Sequence, residues 1–381
     1  MEPGRIIEDV EDFRPPHCPR RDCAHHRTVA GFTYLRWGFF SRADGRRVQR
    51  FLCCSCGRTF SQQSFAFSYY LKRPELTVPI ACGLVGGSAH RQIARTVGCH
   101  HSTVTWRARR LGRHGLLFHT LALRELQARE PVIVDDFDTF AGSQYFPCTL
   151  PTATGKDSWF VYGFAFARER RRGGMSDHQK RLRERLEARW GKPERGAVTS
   201  AFTSLIEGLP PSEPLHLVAD DDRAIASAVR RLRRRRALAL EVHPNPKRGP
   251  KGSRRTPAAR ARDAALFAND QLHRFLRHSE AAHRRETIAF GRSYSGLLDR
   301  LALFAVWRNF VQARSERHPR DGTTAMGVGL TDHPWPWREV IAERLFPDRI
   351  GIAGPADTHY RADIPTPHLE RQRRHALRLA Y

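Results

Sequence analysis

The sequence predicts a multidomain α/β protein, and three observations predict that class. Short apolar runs typical of strands alternate with helical patterns over residues 131–314. Two of those runs, Pro131–Val134 and Leu215–Ala219, lead directly into clusters of aspartates. Further upstream, cysteines concentrate between residues 18 and 56. Strands that alternate with helices form a sheet with helices on its faces, and cysteines at such short spacings indicate a metal site.

The charge of the chain indicates a nucleic-acid partner. The formal net charge is +26, and most of the excess is arginine, which contacts phosphate through a planar fork. A ribosome-binding or acidic-lipid-binding protein is the alternative that composition leaves open. No apolar stretch reaches the roughly 20 residues of a membrane helix, and Met1–Gly4 does not begin a secretory signal. We therefore expect a cytoplasmic protein with no membrane partner.

Composition divides the chain into four regions. They are 1–65, rich in cysteine and aromatic residues; 66–130, mostly helical; 131–314, alternating strands and helices; and 315–381, rich in Pro, His and Trp with a helix-like stretch at Trp337–Leu345. Two basic insertions, 168–195 and 243–262, interrupt the third region. The first carries a charged helical pattern, whereas the prolines of the second predict a mobile loop with no packed element.

The first region predicts a zinc ribbon. Its cysteine pairs are Cys18-x4-Cys23 and Cys53-x2-Cys56, which leave Cys54 out. Strand-like segments lie between the pairs, and Gly57 supplies a turn. Four thiolates at this spacing predict a closed, tetrahedral site for structural Zn²⁺. Two alternatives remain open, namely that His25 or His26 replaces one thiolate and that the cysteines are only buried core residues.

The second region predicts a helix-turn-helix. A short helix, Gln92–Gly98, ends at a glycine suited to a left-handed turn, and Ser102 is placed to cap a second helix, His101–Leu111. The apolar positions predicted to form the interior are Ile93, Ala94, Val97, Val104 and Leu111. The residues predicted to face outward, toward a major groove, are Ser102, Thr103, Thr105, Arg107 and Arg109. An ordinary helical hairpin is the alternative.

The third region predicts a mixed sheet with helices. Its predicted strands are Val132–Phe137, Gln144–Thr149, Trp159–Ala165, Leu215–Ala219 and Ala237–Val242. Its predicted helices include Val198–Leu209 and Arg223–Arg235. This succession is the order of elements in the ribonuclease H-like fold, although a fold alone does not establish a function.

Taken together, these regions resemble a known family. The order of a zinc ribbon, a helix-turn-helix and an α/β domain with strand-end aspartates resembles the bacterial insertion-sequence transposases of the DDE class. Local motifs agree over roughly residues 15–315. They are Cys56-Gly-Arg-Thr-Phe-Ser61, Val218-Ala-Asp220, the segment His283–Ser293 and the segment Leu303–Asn309.

The resemblance implies an activity and its cofactors. It implies a ribonuclease H-like catalytic domain in which three carboxylates hold two Mg²⁺ or Mn²⁺ ions for in-line phosphoryl transfer. The substrate is then double-stranded DNA, cleaved at the element ends and joined to a target. A nucleoid-associated homo-oligomer acting on paired ends is also implied.

Two catalytic acids follow from the family motifs. Asp135 follows Val134 and matches the first acid, and Asp220 holds the equivalent place after Ala219. Alternation along the strand turns Asp136 to the opposite face, and Asp138 is a second-choice ligand. Asp221 and Asp222 are expected to cap the helix that begins near Arg223, and capping is the alternative explanation of the whole cluster.

The third acid is less well defined. The family uses a glutamate on a helix packed against the sheet, and the matching position here is Asp270, one methylene shorter. Glu280 and Glu286 are alternatives. Arg285 and Arg292 are expected to hold DNA phosphate. An altered third acid favours a second hypothesis, a catalytically inactive DNA-binding protein or regulator descended from a transposase; a nuclease that cuts without joining is a third.

Overall fold

The computed structural model describes residues 13–42, 45, 47–247, 249–250, 252–284, 287–361 and 363–369. It is a mixed α/β structure with two sheets. The strands are β1 (Tyr34–Ser41), β2 (Arg47–Cys53), β3 (Thr59–Ser61), β4 (Val132–Phe140), β5 (Pro147–Gly155), β6 (Val161–Phe164), β7 (Ala167–Arg168), β8 (Leu215–Ala219) and β9 (Leu238–Val242).

The helices follow the same chain order. They are α1 (Thr77–Val85), α2 (His90–Thr96), α3 (His101–Arg124), α4 (Asp177–Trp190), α5 (Ala197–Glu207), α6 (Arg223–Leu232), α7 (Pro257–Ala265), α8 (Phe267–Ser279), α9 (Tyr294–Val306), α10 (Thr324–Gly327), α11 (Trp337–Val340), α12 (Pro347–Ile350) and α13 (Gly354–Arg361). A π-helical turn, Trp307–Val311, continues α9.

The chain divides into two compact units. The first comprises the described residues of Met1–Gln127, Ser158–Val161 and Asp299–Arg361. The second comprises those of Ala128–Asp157, Tyr162–Leu298 and Ala362–Tyr381. The first unit therefore combines segments that composition had placed in separate regions of the chain.

The first unit contains the small sheet and most of the helices. Strands β1, β2 and β3 pair antiparallel in that order. The long helix α3 packs against α1, α2, α12 and α13. Gly112 lets α3 approach α9 closely, because a Cβ at this position would collide with the backbone of Asp299. A larger residue at position 112 would therefore force the two helices apart.

The second unit is built on a mixed sheet in the order β6-β5-β4-β8-β9, with β7 paired to β5. Strands β4 and β5 are antiparallel, whereas β8 is parallel to both β4 and β9. Helix α8 packs on β4 and β5, and α5 packs on β5 and β7. Strand β5 is buried at every position after Pro147, as expected for a strand inside a covered sheet.

Three sequence predictions about elements of the second unit were wrong. Strand β4 continues to Phe140 because its antiparallel pairing with β5 extends to Phe140 and Pro147, so Asp135 lies inside the strand. Strand β5 begins at Pro147, not residue 144, because Ser143–Phe146 closes a turn. The segment 243–262 does contain a packed element, since Thr256 caps α7 and Pro257 occupies its first turn.

Candidate active site and metal centre

The four predicted cysteines form one compact group. The sulfur atoms of Cys18, Cys23, Cys53 and Cys56 all lie within 4.8 Å of one another. The Cys18–Cys56 and Cys23–Cys53 sulfurs are 3.8 and 3.9 Å apart. A tetrahedral zinc ion with Zn–S bonds of about 2.3 Å requires sulfur–sulfur edges of about 3.8 Å. The group therefore has the geometry of a structural zinc site.

The surroundings of the cysteines favour a bound cation. Burial raises the pKa of the Cys18 thiol, so this sulfur becomes a thiolate ligand at neutral pH only with a positive charge beside it. The His26 ring bonds the Cys18 carbonyl oxygen through Nδ1 at 2.9 Å. His26 therefore supports the cysteine loop from outside, and the four sulfurs complete the group without a histidine. Cys54 is exposed, as its exclusion from the group predicts.

Helices α2 and α3 cover the segment for which a helix-turn-helix was predicted. Gly98 has φ +63° in the turn between α2 and α3, which is the left-handed conformation expected of it. Four of the five predicted interior residues, Ile93, Ala94, Val104 and Leu111, are buried, whereas Val97 is only partly buried. The cap prediction was wrong: His100 is the N-cap of α3, and its ring accepts the backbone N–H of Ser102.

The predicted DNA-facing residues of α3 divide into two sets. Ser102, Thr103 and Arg109 are half-buried and Thr105 is exposed. Arg107 was predicted to face outward, and this was wrong: its side chain is only 4% exposed and donates to the Thr77 hydroxyl and the Arg73 carbonyl. The reason is helical periodicity, because position 107 shares a face with the buried positions 104 and 111.

Sequence reasoning missed an exposed tryptophan on the same helix. Trp106 is 67% exposed, and the Arg109 guanidinium lies over its ring at 5.8 Å from the centroid. A helical wheel would have identified it, because position 106 lies opposite the buried face that carries Val104 and Leu111. The outward face of α3 is therefore aromatic as well as basic.

Asp135 and Asp220 hold equivalent positions on neighbouring parallel strands. Strands β4 and β8 pair through Val132 with Leu217 and Ile133 with Val218. Asp135 lies two residues after Ile133, and Asp220 lies two residues after Val218. Because the strands run in the same direction, the two carboxylates emerge at the same end of the pairing. Their apposition is thus set by the register of the sheet.

The Asp135 carboxyl is in an environment that resists its ionisation. Its side chain is 7% exposed, and burial, followed by the charges of Asp220 and Asp136, raises its pKa to about 8. The Asp136 backbone N–H donates to its Oδ1 at 2.9 Å. Positive charge added beside a buried carboxyl with two carboxylate neighbours would favour its anion. Perturbation of this kind is typical of functional sites.

Asp136 and Asp138 lie on the opposite face of β4. Both line a cleft of about 960 Å³, and Asp136 accepts the Thr149 hydroxyl at 3.2 Å. Burial and the neighbouring Asp138 raise the pKa of Asp136 to about 6. Asp220 also lines this cleft, whereas Asp135 does not. Strand β4 therefore carries Asp135 on one face and Asp136 and Asp138 on the other. Asp220 lies near the acids of both faces.

Asp220 is held in place by the loop that follows β9. The Asn245 side-chain amide donates to Asp220 Oδ2 at 2.7 Å, and the Asp222 backbone N–H donates to Oδ1 at 3.0 Å. Asp222 is the N-cap of α6, accepting the Ala224 backbone N–H, which confirms the capping role predicted for it. Asn245 was missed in the sequence, where it stood among the prolines of the basic insertion.

Helix α8 brings further polar groups to the face of β4 that carries Asp135. Its Asn269 is fully buried and accepts hydrogen bonds from Thr152 and Thr154 of β5. His273 Nδ1 lies 3.9 Å from Asp135 Oδ2. Burial, assisted by nearby arginines, lowers the pKa of His273 to about 3. The ring is therefore neutral at pH 7 and makes no ion pair with Asp135.

Asp270, the first choice for the third acid, lies in the first turn of α8. Its Oδ2 accepts Arg262 Nη1 at 2.7 Å. The same Arg262 charge counters the rise in the Asp135 pKa, which places this guanidinium near both carboxylates. Arg262 thus supplies positive charge close to two of the proposed acids.

Of the remaining candidates, the structure describes Glu280 and Arg292. Glu280 is fully buried just after α8, and Glu286 and Arg285 lie outside the described residues. Arg292 is exposed, with its guanidinium 4.5 Å from the Phe290 ring centroid. Among the described residues, only the four cysteines gather three or more His, Cys, Asp or Glu ligand atoms within 4.8 Å. Asp135, Asp220 and Asp270 are therefore not drawn that close together.

The acidic cleft is also lined by basic residues. Its lining includes Arg170, Arg171, Arg172 and Arg223 beside the acids. Glu169 also lines it, and burial together with the charge of Asp138 raises the Glu169 pKa. A polyanion that enters the cleft would meet these guanidinium groups as well as the carboxylates.

Comparison with protein-family models, with curated proteins and with solved structures finds no match to this chain. Within the part of the chain that the structure describes, no helix is both long enough and apolar enough to cross a membrane.

Proposed function

We propose that the chain is a DDE-type DNA transposase that cleaves DNA at the ends of an insertion sequence and joins them to a target. The apposition of Asp135 and Asp220 carries the proposal. Two acids fixed by strand register, one of them with its pKa raised to about 8, form a site that gains stability when it binds a divalent cation. The second unit is then a ribonuclease H-like catalytic domain.

Asp135 and Asp220 are the residues that would hold Mg²⁺ or Mn²⁺, with Asp270 as the third ligand. Oxygen donors of this kind suit hard divalent cations. When bound, the ions would supply charge for the attacking and leaving oxygens of phosphoryl transfer. The chain's own contribution is positional: Asn245 orients the Asp220 carboxylate, and Asp222 fixes the start of α6.

The proposed DNA contacts lie in both units. In the first unit, Ser102, Thr103, Thr105 and Arg109 on α3 would face a major groove as a recognition helix does. The cysteine group, loaded with Zn²⁺, would stabilise the ribbon beside it. In the second unit, the arginines that line the acidic cleft and Arg292 would neutralise phosphates. DNA contacts in both units suit a nucleoid-associated protein that acts as a homo-oligomer on paired ends.

The experiment that tests this function is a strand-transfer assay. The full-length protein is incubated with labelled DNA that carries the sequences flanking its gene, with a supercoiled target and with Mg²⁺ or Mn²⁺. A transposase yields covalently joined products that depend on the cation and on the flanking sequence. Cleavage without joining would identify a nuclease instead.

A second candidate function is a DNA-binding regulator without chemistry. It is favoured by the Arg262–Asp270 ion pair, in which the proposed third acid is already engaged. Such a protein binds the same flanking DNA with the same affinity whether or not Mg²⁺ is present, and it yields no cut or joined product. Comparing binding with joining on one labelled duplex separates the two functions.

A further inference from the structure

A second cavity, of about 930 Å³, lies in the first unit. It is lined on one side by residues of α3 and on the other by the segment before α1 and residues near α12 and α13. Aromatic rings and arginines dominate the lining, and no Asp or Glu is among the described residues that form it. The cavity is therefore cationic and aromatic together, unlike the acidic cleft of the second unit.

Two aromatic rings at this cavity are open to solvent. Tyr70 is 87% exposed and Trp106 is 67% exposed. Tyr70 also has φ +61°, a conformation that residues with a side chain rarely adopt, and its ring lies 4.4 Å from that of Tyr69. Strained backbone that presents a solvent-exposed ring is typical of ligand-binding positions.

The arginines of the cavity are fixed by stacking on other rings. Arg110 lies over Phe67 at 5.1 Å, Arg113 over Tyr360 at 5.7 Å and Arg344 over Tyr69 at 4.9 Å. Burial, and then the neighbouring charge of Arg344, lower the pKa of Arg110 to about 10. The guanidinium groups of Arg110 and Arg344 repel one another, so an anion placed between them would relieve that repulsion.

We propose that this cavity binds an unpaired nucleotide of a DNA strand, with its base stacked against both Trp106 and Tyr70 and its phosphate held by Arg110 and Arg344. The proposal rests on the proposed function, which makes DNA the ligand. A base inside a duplex has both faces covered by its neighbours, whereas an unpaired base offers a face to an aromatic ring. The cavity thus selects DNA with a frayed or single-stranded end over fully paired DNA.

The test compares two labelled duplexes of the same sequence, one blunt and one with a single-stranded overhang. Fluorescence anisotropy with the full-length protein, without added divalent cation, measures both affinities. We expect the overhang to bind about tenfold more tightly, the effect of stacking about one base. Tyr70→Ala and Trp106→Ala should each remove the preference, while Trp106→Phe should keep it.

The matched control is Trp37→Ala, which removes a tryptophan that is 50% exposed on β1, away from the cavity. It should keep the preference for the overhang. Equal affinity of the wild-type protein for the two duplexes, or a preference that survives Tyr70→Ala or Trp106→Ala, would overturn the proposal. Displacement of the overhang duplex by a free deoxynucleoside monophosphate at equal concentration would also overturn it, in favour of a free-nucleotide site.

These outcomes distinguish failure of the cavity proposal from failure of the proposed function. A protein that binds neither duplex contradicts DNA as the ligand and thus both proposals. A protein that binds the two duplexes equally contradicts the cavity assignment alone. Failure of strand transfer with an intact overhang preference contradicts the catalytic proposal and supports the cavity.

Discussion

Asp135 and Asp220 stand two residues beyond the last paired residues of adjacent parallel strands, Ile133 and Val218. Their shared position follows from strand register, and their proximity contributes to raising the pKa of Asp135. Burial supplies the larger part of that shift. The sheet therefore holds carboxylates close together, which is unfavourable in free energy. Such an unfavourable arrangement is expected at a site that binds a cation.

The first prediction concerns the pH dependence of stability. The folded pKa of Asp135 is raised to about 8 from about 4 in the unfolded chain. The stabilisation from its bound proton is thus present below about pH 4 and is lost as the pH rises to about 8. Asp135→Asn should therefore increase the free energy of unfolding, relative to wild type, by a growing amount over this range. The gain near pH 8 should be on the order of a few kcal/mol.

Thermal denaturation across pH measures this difference. The matched control is Asp177→Asn, at an exposed position of α4, which should leave the profile unchanged. Mg²⁺ should stabilise the wild-type protein more than Asp135→Asn at pH 8. Parallel stability profiles for wild type and Asp135→Asn would show that Asp135 is not held protonated in the folded protein.

The second prediction concerns the cysteine group. Cys23→Ser and Cys53→Ser should each abolish retention of about one zinc ion per chain, because a closed tetrahedral site requires all of its ligands. Cys54→Ser, next to a ligand but exposed, should retain the metal. Metal content after gel filtration measures this, with the melting temperature as a second readout. Equal zinc in Cys53→Ser and Cys54→Ser would rule out the four-thiolate site.

The third prediction separates two arginines of α3. Arg107→Ala leaves the Thr77 hydroxyl and the Arg73 carbonyl without their donor, and should cost about 2 kcal/mol of folding stability. Arg109→Ala, on the outward side, should leave stability nearly unchanged and weaken DNA binding. Chemical denaturation and DNA titration of both variants measure the two effects. A stable Arg107→Ala protein with weakened DNA binding would restore the outward role first expected of Arg107.

The fourth prediction concerns the Arg262–Asp270 pair. The two side chains are 15% and 26% exposed, so substituting either should lower stability by a similar amount, about 1 kcal/mol. Their activities should differ: Asp270→Ala should lose strand transfer, whereas Arg262→Ala should keep it. Equal activity in the two variants would indicate a structural ion pair. The third acid would then be sought at Glu280 or Glu286.

Site residues could be predicted from the sequence where their spacing along the chain determines how they come together. Two short loops and a paired strand are sufficient to bring four sulfurs together, those of Cys18, Cys23, Cys53 and Cys56. The strand Leu215–Ala219 was predicted to the residue, because a buried strand next to a capped helix has clear signals at both ends.

Other features depend on contacts that no local pattern contains. Strand β4 passes through its aspartates because β5 continues to pair with it as far as Phe140, and the apolar pattern of β4 alone does not show that pairing. Pro257 was interpreted as a loop residue, but proline is also suited to the first turn of a helix. Asn245 reaches Asp220 only through the fold of the chain after β9.

The most direct test of the account is strand transfer by Asp135→Asn and Asp220→Asn. Each variant is compared with Asp177→Asn on the same labelled DNA, with Mg²⁺ present and with binding of that DNA measured in parallel. The account predicts that both variants bind DNA as wild type does and yield no joined product, while Asp177→Asn joins DNA normally. Undiminished joining by Asp135→Asn or Asp220→Asn would contradict it.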